Sequence, residues 1–121
     1  MLVVIGSTDH YLATNIARLV GRVKLKSIRT GKIERVIKEL KHPERLTILD
    51  VNWKELQEHG ELRRLINIGR ITGNKVICIC PNQDDELKKL AKQARPEETF
   101  IRYDLEAGFI DFLKDFVTSS E

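Results

Sequence analysis

The chain is poor in the residues that build covalent or metal-held scaffolds. It has two cysteines, three prolines and a single tryptophan. Cys78 and Cys80 stand two apart inside an apolar run, so on a strand they share a face, and two thiols alone cannot build a zinc site. They read as core thiols of a protein kept in a reducing compartment, and a cytoplasmic location is expected. His10, His42 and His59 are too scattered along the chain for a metal site. No apolar run approaches the ~18 residues that cross a bilayer, so no membrane association is expected. The opening "MLVVIGSTDH" has neither a basic flank nor a small-residue cleavage site, and no secretory signal is expected.

What is present describes one water-soluble domain. The 121 residues are 41% hydrophobic and 32% charged, enough for a real core without staples. Charge is unevenly spread. Residues 18–45 carry ten basic and three acidic side chains, whereas residues 82–121 carry ten acidic and six basic ones. Such an asymmetry can steer association. It also raises nucleic-acid binding by segment 18–45 as an alternative. Against that, Lys32, Arg35, Lys38 and Lys41 lie on the polar side of a helical pattern. No aromatic is interleaved with them, and no zinc or helix-turn-helix motif is present.

Hydrophobic periodicity alternates between two types. "LVVIG" (2–6), "KLKSI" (24–28), "RLTILD" (45–50), "KVICIC" (75–80) and "TFIRY" (99–103) read as strands. Between and after them come helical patterns. The first begins near Ser7 or Thr8 as cap, and the second carries Ile33, Val36, Ile37 and Leu40. The third spans 53–69 with a break at Gly60, and the fourth is capped by Asn82. The last buries Phe109, Phe112, Leu113 and Phe116. Five strand–helix units with continuously apolar strands predict a three-layer α/β/α sandwich around a five-stranded parallel sheet, order 2-1-3-4-5. Residues 1–118 form the expected domain, and 119–121 a tail or the start of a linker.

Ligands of such sheets sit at the carboxyl ends of the strands. That rim collects Gly6, Ser7 and Asp9 after the first strand and Asp50 and Asn52 after the third. Cys80 and Asn82 follow the fourth, and Tyr103 and Asp104 the fifth. Asp50, at the tip of a buried strand, is the residue that most needs an explanation. Trp53 and Tyr103 read as rim packing.

Over nearly its whole length the chain resembles the receiver domain of two-component response regulators. The likeness is carried by "RTGKIERVIKEL", "LTILDVNW", "KVICICPN" and "TFIRYDLEAGFIDFL" in that order and spacing. The resemblance implies a flavodoxin-like fold with Asp50 at the phosphoacceptor position. It also implies an acidic pair after the first strand that helps to hold Mg²⁺, a Ser or Thr ending the fourth strand, and a Lys ending the fifth. Here Gly6 and Ser7 replace the acidic pair, and Asp9 falls about three residues late. Cys80 takes the hydroxyl position and Tyr103 the lysine position, followed by Asp104 where a proline is usual. Trp53 and Lys54 stand where another proline is usual.

The expected protein is therefore a degenerate, pseudo-receiver member: non-catalytic, without a cofactor, and acting through a protein partner or a tethered effector domain. Asp50 is expected to be solvated or bonded to Ser7, Asn52 or backbone amides. The resemblance implies a contact face on helix 4, strand 5 and helix 5, here Lys88, Lys92, Arg95, Arg102, Glu106, Asp111 and Asp115, which suits a weak homodimer. The alternatives are a receiver still phosphorylated on Asp50 with Mg²⁺, and a flavodoxin-like cofactor binder using "IGSTDHYLATNIA". A Ser7–His10–Asp50 hydrolytic triad is a further one.

Overall fold

Three short runs of Val, Ile, Leu and Cys become the central strands because both of their faces are covered. The computed structural model describes residues 2–58 and 60–119. Its strands are β1 Leu2–Gly6, β2 Lys26–Thr30, β3 Leu46–Asp50, β4 Lys75–Cys80 and β5 Glu98–Ile101. All pairs are parallel, in the order β2-β1-β3-β4-β5, which is the predicted topology. The helices are α1 His10–Arg22, α2 Ile33–Leu40, α3 Glu61–Ile71, α4 Asp85–Ala94 and α5 Leu105–Ser119. Two 3-10 turns, Lys54–Gln57 and Arg102–Asp104, follow β3 and β5. Helix α5 runs one residue into the expected tail; residues 120 and 121, like His59, lie outside the described residues.

Alternation along the strands sorts the core into two layers. Val3, Ile5, Leu46, Ile48, Ile77 and Ile79 face α1 and α5, where they meet Leu12, Ile16, Leu19, Phe109 and Leu113. Leu49, Val76, Cys78 and Cys80 face α2, α3 and α4, where they meet Val36, Leu40, Leu65 and Ala91. The two thiols therefore share a buried face. Burial pushes the Cys78 thiol well above the ordinary thiol range and that of Cys80 up to about 11, so both are inert core groups. Phe100 meets Phe109 and Phe112 edge-on, closing the β5 side of the first layer. Asn74 is buried and bridges the far end: its amide nitrogen donates to the carbonyls of Leu40 and His42, and its oxygen accepts from the Arg45 N–H.

Several boundaries differ from expectation for local reasons. β2 starts two residues late because Lys24 turns the chain in the left-handed region, φ 63°. The third helical pattern breaks at Gly60, which caps α3 at φ 77°. The cap of α4 is Asp84, accepting from Leu87 N–H, because Gln83 takes φ 58° and delays the helix beyond Asn82. The cap of α1 is Asp9, accepting from Leu12 N–H at 3.1 Å.

In a parallel α/β unit every crossover helix begins at the carboxyl rim of the sheet and ends at the opposite edge. Acids occupy the first turns of α2, α3, α4 and α5, and bases the last turns of α1, α2, α3 and α4. This complements the helix dipoles.

Candidate functional site

β1 and β3 pair so that Gly6 stands opposite Leu49, which brings the residues just beyond each strand end together at the rim. Asp50, the last residue of β3, is only 3% exposed. Ser7 Oγ donates to Asp50 Oδ2 at 2.7 Å, and the Asn52 N–H donates to Oδ1 at 3.0 Å. Ser7 Oγ in turn accepts from the Asp9 N–H at 3.0 Å. The Asp9 carboxylate accepts from Arg102 Nη1 at 2.7 Å. One network therefore runs Asn52–Asp50–Ser7–Asp9–Arg102 across the ends of three strands.

Its two carboxylates are tuned in opposite directions. Burial raises the Asp50 pKa above its ordinary 3.8. The Ser7 hydroxyl and the Asn52 amide oppose this, Asp9 adds to it, and Arg102 weakly offsets it. Asp9 is lowered from the same value, first by the Leu12 N–H, then by Arg102. The linkage follows directly. Stability held through Asp50 is present below 3.8 and declines as pH rises through its raised value. Stability held through Asp9 is present above 3.8 and is lost as pH falls below it. Asp50→Asn is expected to keep the fold and, near pH 4, to lie within about 1 kcal/mol of the parent, because the amide keeps the Asn52 bond. Relative to it, the parent loses stability as pH rises toward neutrality. Urea denaturation across that range measures the difference, and parallel profiles would remove Asp50 as the titrating group.

Trp53 explains why no acid stands at position 6. The indole is 2% exposed and packs in the layer with Val36 and Leu49. A Cβ on Gly6 would lie 3.0 Å from Leu49 Cδ2, 3.2 Å from Trp53 Cζ3 and 3.3 Å from Val36 Cγ2. The ring occupies the space a side chain at 6 would need. The missing acid and the tryptophan in the usual proline position are one packing solution. Its Nε1 has no hydrogen-bond partner among the described residues. Trp53 is a core residue, which corrects its reading as rim packing.

The remaining predicted positions separate. Cys80 ends β4 at the rim, near enough to Asp50 to feel its charge, with its side chain buried in the core. Tyr103 lies past the end of β5 in a 3-10 turn, 82% exposed, its N–H bonded to Asn82 Oδ1. β5 ends at Ile101, two residues earlier than expected, so the cation that the strand end delivers to the rim is Arg102. His10 opens α1, exposed, while Ser7 gives its hydroxyl proton directly to Asp50; no Ser7–His10–Asp50 triad is assembled.

The expected contact face is divided in the same way. Arg102 joins the rim, Glu106 pairs with Arg18 of α1 at 2.9 Å, and Lys92 and Arg95 line a groove with α3. Lys88 lies near Cys80, and Asp111 and Asp115 remain exposed on α5. In the basic segment 18–45, Arg18, Arg35 and Arg45 are ion-paired and Arg29 donates to Thr14.

The donor set does not fit Mg²⁺. Hard oxygen ligands must converge, yet Asp50 is held by Ser7 and Asn52 and Asp9 by Arg102 and Leu12. Among the described residues no group of three or more His, Cys, Asp or Glu is arranged for a metal ion. Nor is any helix among them long and apolar enough to cross a membrane.

No family model and no curated protein matches the sequence. Solved structures do match the fold. A response regulator receiver protein from Burkholderia phymatum superposes with a TM-score of 0.74 at 17% identity, covering 97% of this chain and 94% of its own. A pilus-assembly-related protein from Burkholderia pseudomallei gives 0.70 at 16%, covering 98% and 90%. A pilus assembly protein, CpaE, from Burkholderia thailandensis gives 0.67 at 16%, covering 98% of both chains. At these identities the likeness is one of architecture: the chain has a receiver-like, flavodoxin-like fold.

Proposed function

We propose that this protein is a receiver-like regulatory module that does not take part in phosphoryl transfer and works through contacts with another protein or domain. The observation that carries the reading is the closed rim. Asp50 is buried, and its two oxygens already accept from Ser7 and Asn52. A phosphoacceptor needs an open oxygen for in-line attack and a partner for the charge that builds on the phosphoryl group. Ser7 supplies no negative charge to recruit a cation, and the Arg102 charge is already spent on Asp9.

One observation favours a second reading, phosphorylation of Asp50: Arg102 is a cation beyond the end of β5 that senses the Asp50 charge. Incubation with acetyl phosphate and Mg²⁺, followed by intact mass, separates the two. No gain of a phosphoryl group is expected, and beryllofluoride should leave the amide spectrum unchanged. A stoichiometric gain that disappears in Asp50→Asn would replace the first reading by the second.

A further inference from the structure

On the side of the sheet away from α1 and α5, α3 and α4 leave a groove made of three adjoining hollows of about 480, 400 and 500 Å³. Its walls carry Arg63 and Arg70 from α3, and Lys89, Lys92 and Arg95 from α4 and its cap. No acidic residue lines any of the three hollows. Leu90, half-buried, contributes apolar surface at one end, over the buried Leu62. Among the described residues none of the five cations is in a salt bridge, although ion pairs form elsewhere on the molecule.

Three features set this groove apart from an ordinary solvated face. Arg63 is the third residue of α3, where its own helix dipole opposes a cation, and it reaches instead to the carboxyl end of α4. Its Nη2 donates across the groove to the Gln93 carbonyl at 2.8 Å, and Arg70 Nη2 donates to the Arg95 carbonyl. Both guanidinium groups are thereby oriented, with N–H donors left over. Arg95 itself caps α4 in the left-handed region, φ 57°, a position glycine occupies without strain. A long cationic side chain is held there against backbone preference.

We infer that this groove docks an acidic amphipathic helix of a partner protein, a conclusion that rests on the reading of the chain as a module working through protein contacts. Arg63 and Arg70 are two helical turns apart, about 10 Å. Carboxylates at i, i+4 and i+7 of an apposed helix repeat at the same spacing, and Arg pairs with them bidentately. An apolar side chain between them would cover Leu90. A nucleic-acid backbone has nothing to set against Leu90, and no aromatic residue lines the groove for base stacking.

The test is fluorescence polarisation at low salt. The probe is a labelled synthetic helix with glutamates at i, i+4 and i+7 and leucines on the same face. A fluorescent single-stranded oligonucleotide of equal charge is the comparison. The whole chain should bind the peptide, more tightly than the oligonucleotide, and lose affinity as salt rises. Lys89→Glu/Lys92→Glu should weaken peptide binding at least about tenfold. Both lysines are exposed and their side chains make no hydrogen bond among the described residues, so the fold should not register the change; far-ultraviolet circular dichroism checks this. Tighter binding of the oligonucleotide, no binding of the peptide, or unchanged binding by the double variant would each overturn the inference. Phosphorylation keeps the outcomes distinct. A chain that binds the peptide but takes a phosphoryl group on Asp50 keeps the groove and ends the reading above. A chain that does neither ends the groove alone.

Discussion

Gly6→Asp, which puts back an acid of the kind the receiver resemblance implies at this position, is expected to destabilise the protein by about 3 kcal/mol or more. A Cβ there meets Leu49, Trp53 and Val36 at 3.0 to 3.3 Å, so each of these buried side chains must shift by a few tenths of an ångström. Overpacking of that kind costs about 1–3 kcal/mol, and a carboxylate forced into that apolar layer adds an unpaired charge. Trp53→Ala alone should cost about 3–5 kcal/mol through the cavity it leaves. The two changes should not add. With the indole gone, the Gly6→Asp side chain has room, and the double variant should be at least about 1 kcal/mol more stable than the sum predicts. Guanidinium unfolding followed by circular dichroism gives the four stabilities without relying on the tryptophan signal. An additive cycle would mean that the glycine and the indole are independent, and the packing account of the missing acid would fall.

That coupling marks where reading the chain from its residues succeeds and where it stops. The strand order and the place of Asp50 were legible because they depend on local apolar patterning and on the handedness of the crossovers. The partnership of Ser7 with Asp50 was expected among several options, since both stand just at strand ends. The role of Arg102 was not legible. It depends on β5 stopping at Ile101, and "TFIRY" carries no signal for that stop. Lys24 and Gln83 shifted two boundaries by taking positive φ where neither Gly nor Asn announces it. Trp53 lay one position from a charged stretch and read as an edge residue. Its burial follows from the void over Gly6, a tertiary fact with no local trace. The α3–α4 groove was hidden for a related reason: Arg63, Arg70 and Arg95 are far apart in the chain and spread over two elements. Only the packing of the two helices concentrates them.

Ser7→Asp is expected to convert the rim from a closed network into a pH-dependent one. Ser7 is 7% exposed and its Oγ is 2.7 Å from Asp50, so a carboxylate at position 7 would face another at nearly hydrogen-bond distance. Two such groups cannot both ionise cheaply; they share a proton, and the pair titrates well above the ordinary carboxylate value. Asp50 is already raised from 3.8 by burial, so the second carboxylate moves it in the same direction. Because the folded pair holds its proton more tightly than the unfolded chain, stability is retained at low pH and lost as pH rises. Near pH 4 the variant should lie within about 1 kcal/mol of the parent, and at neutral pH it should be about 2–4 kcal/mol less stable. Ser7→Asn, similar in volume but uncharged, should show no such slope. Millimolar Mg²⁺ should restore much of the loss in Ser7→Asp and leave the parent unchanged, because only the variant offers two carboxylates to one cation. Urea denaturation of the three proteins over pH 4 to 8, with and without Mg²⁺, reads all of this at about 1 kcal/mol resolution. A parent that gains stability from Mg²⁺ as the variant does would show that Asp50 is open to a cation after all, and the closed-rim account of this protein would have to be abandoned.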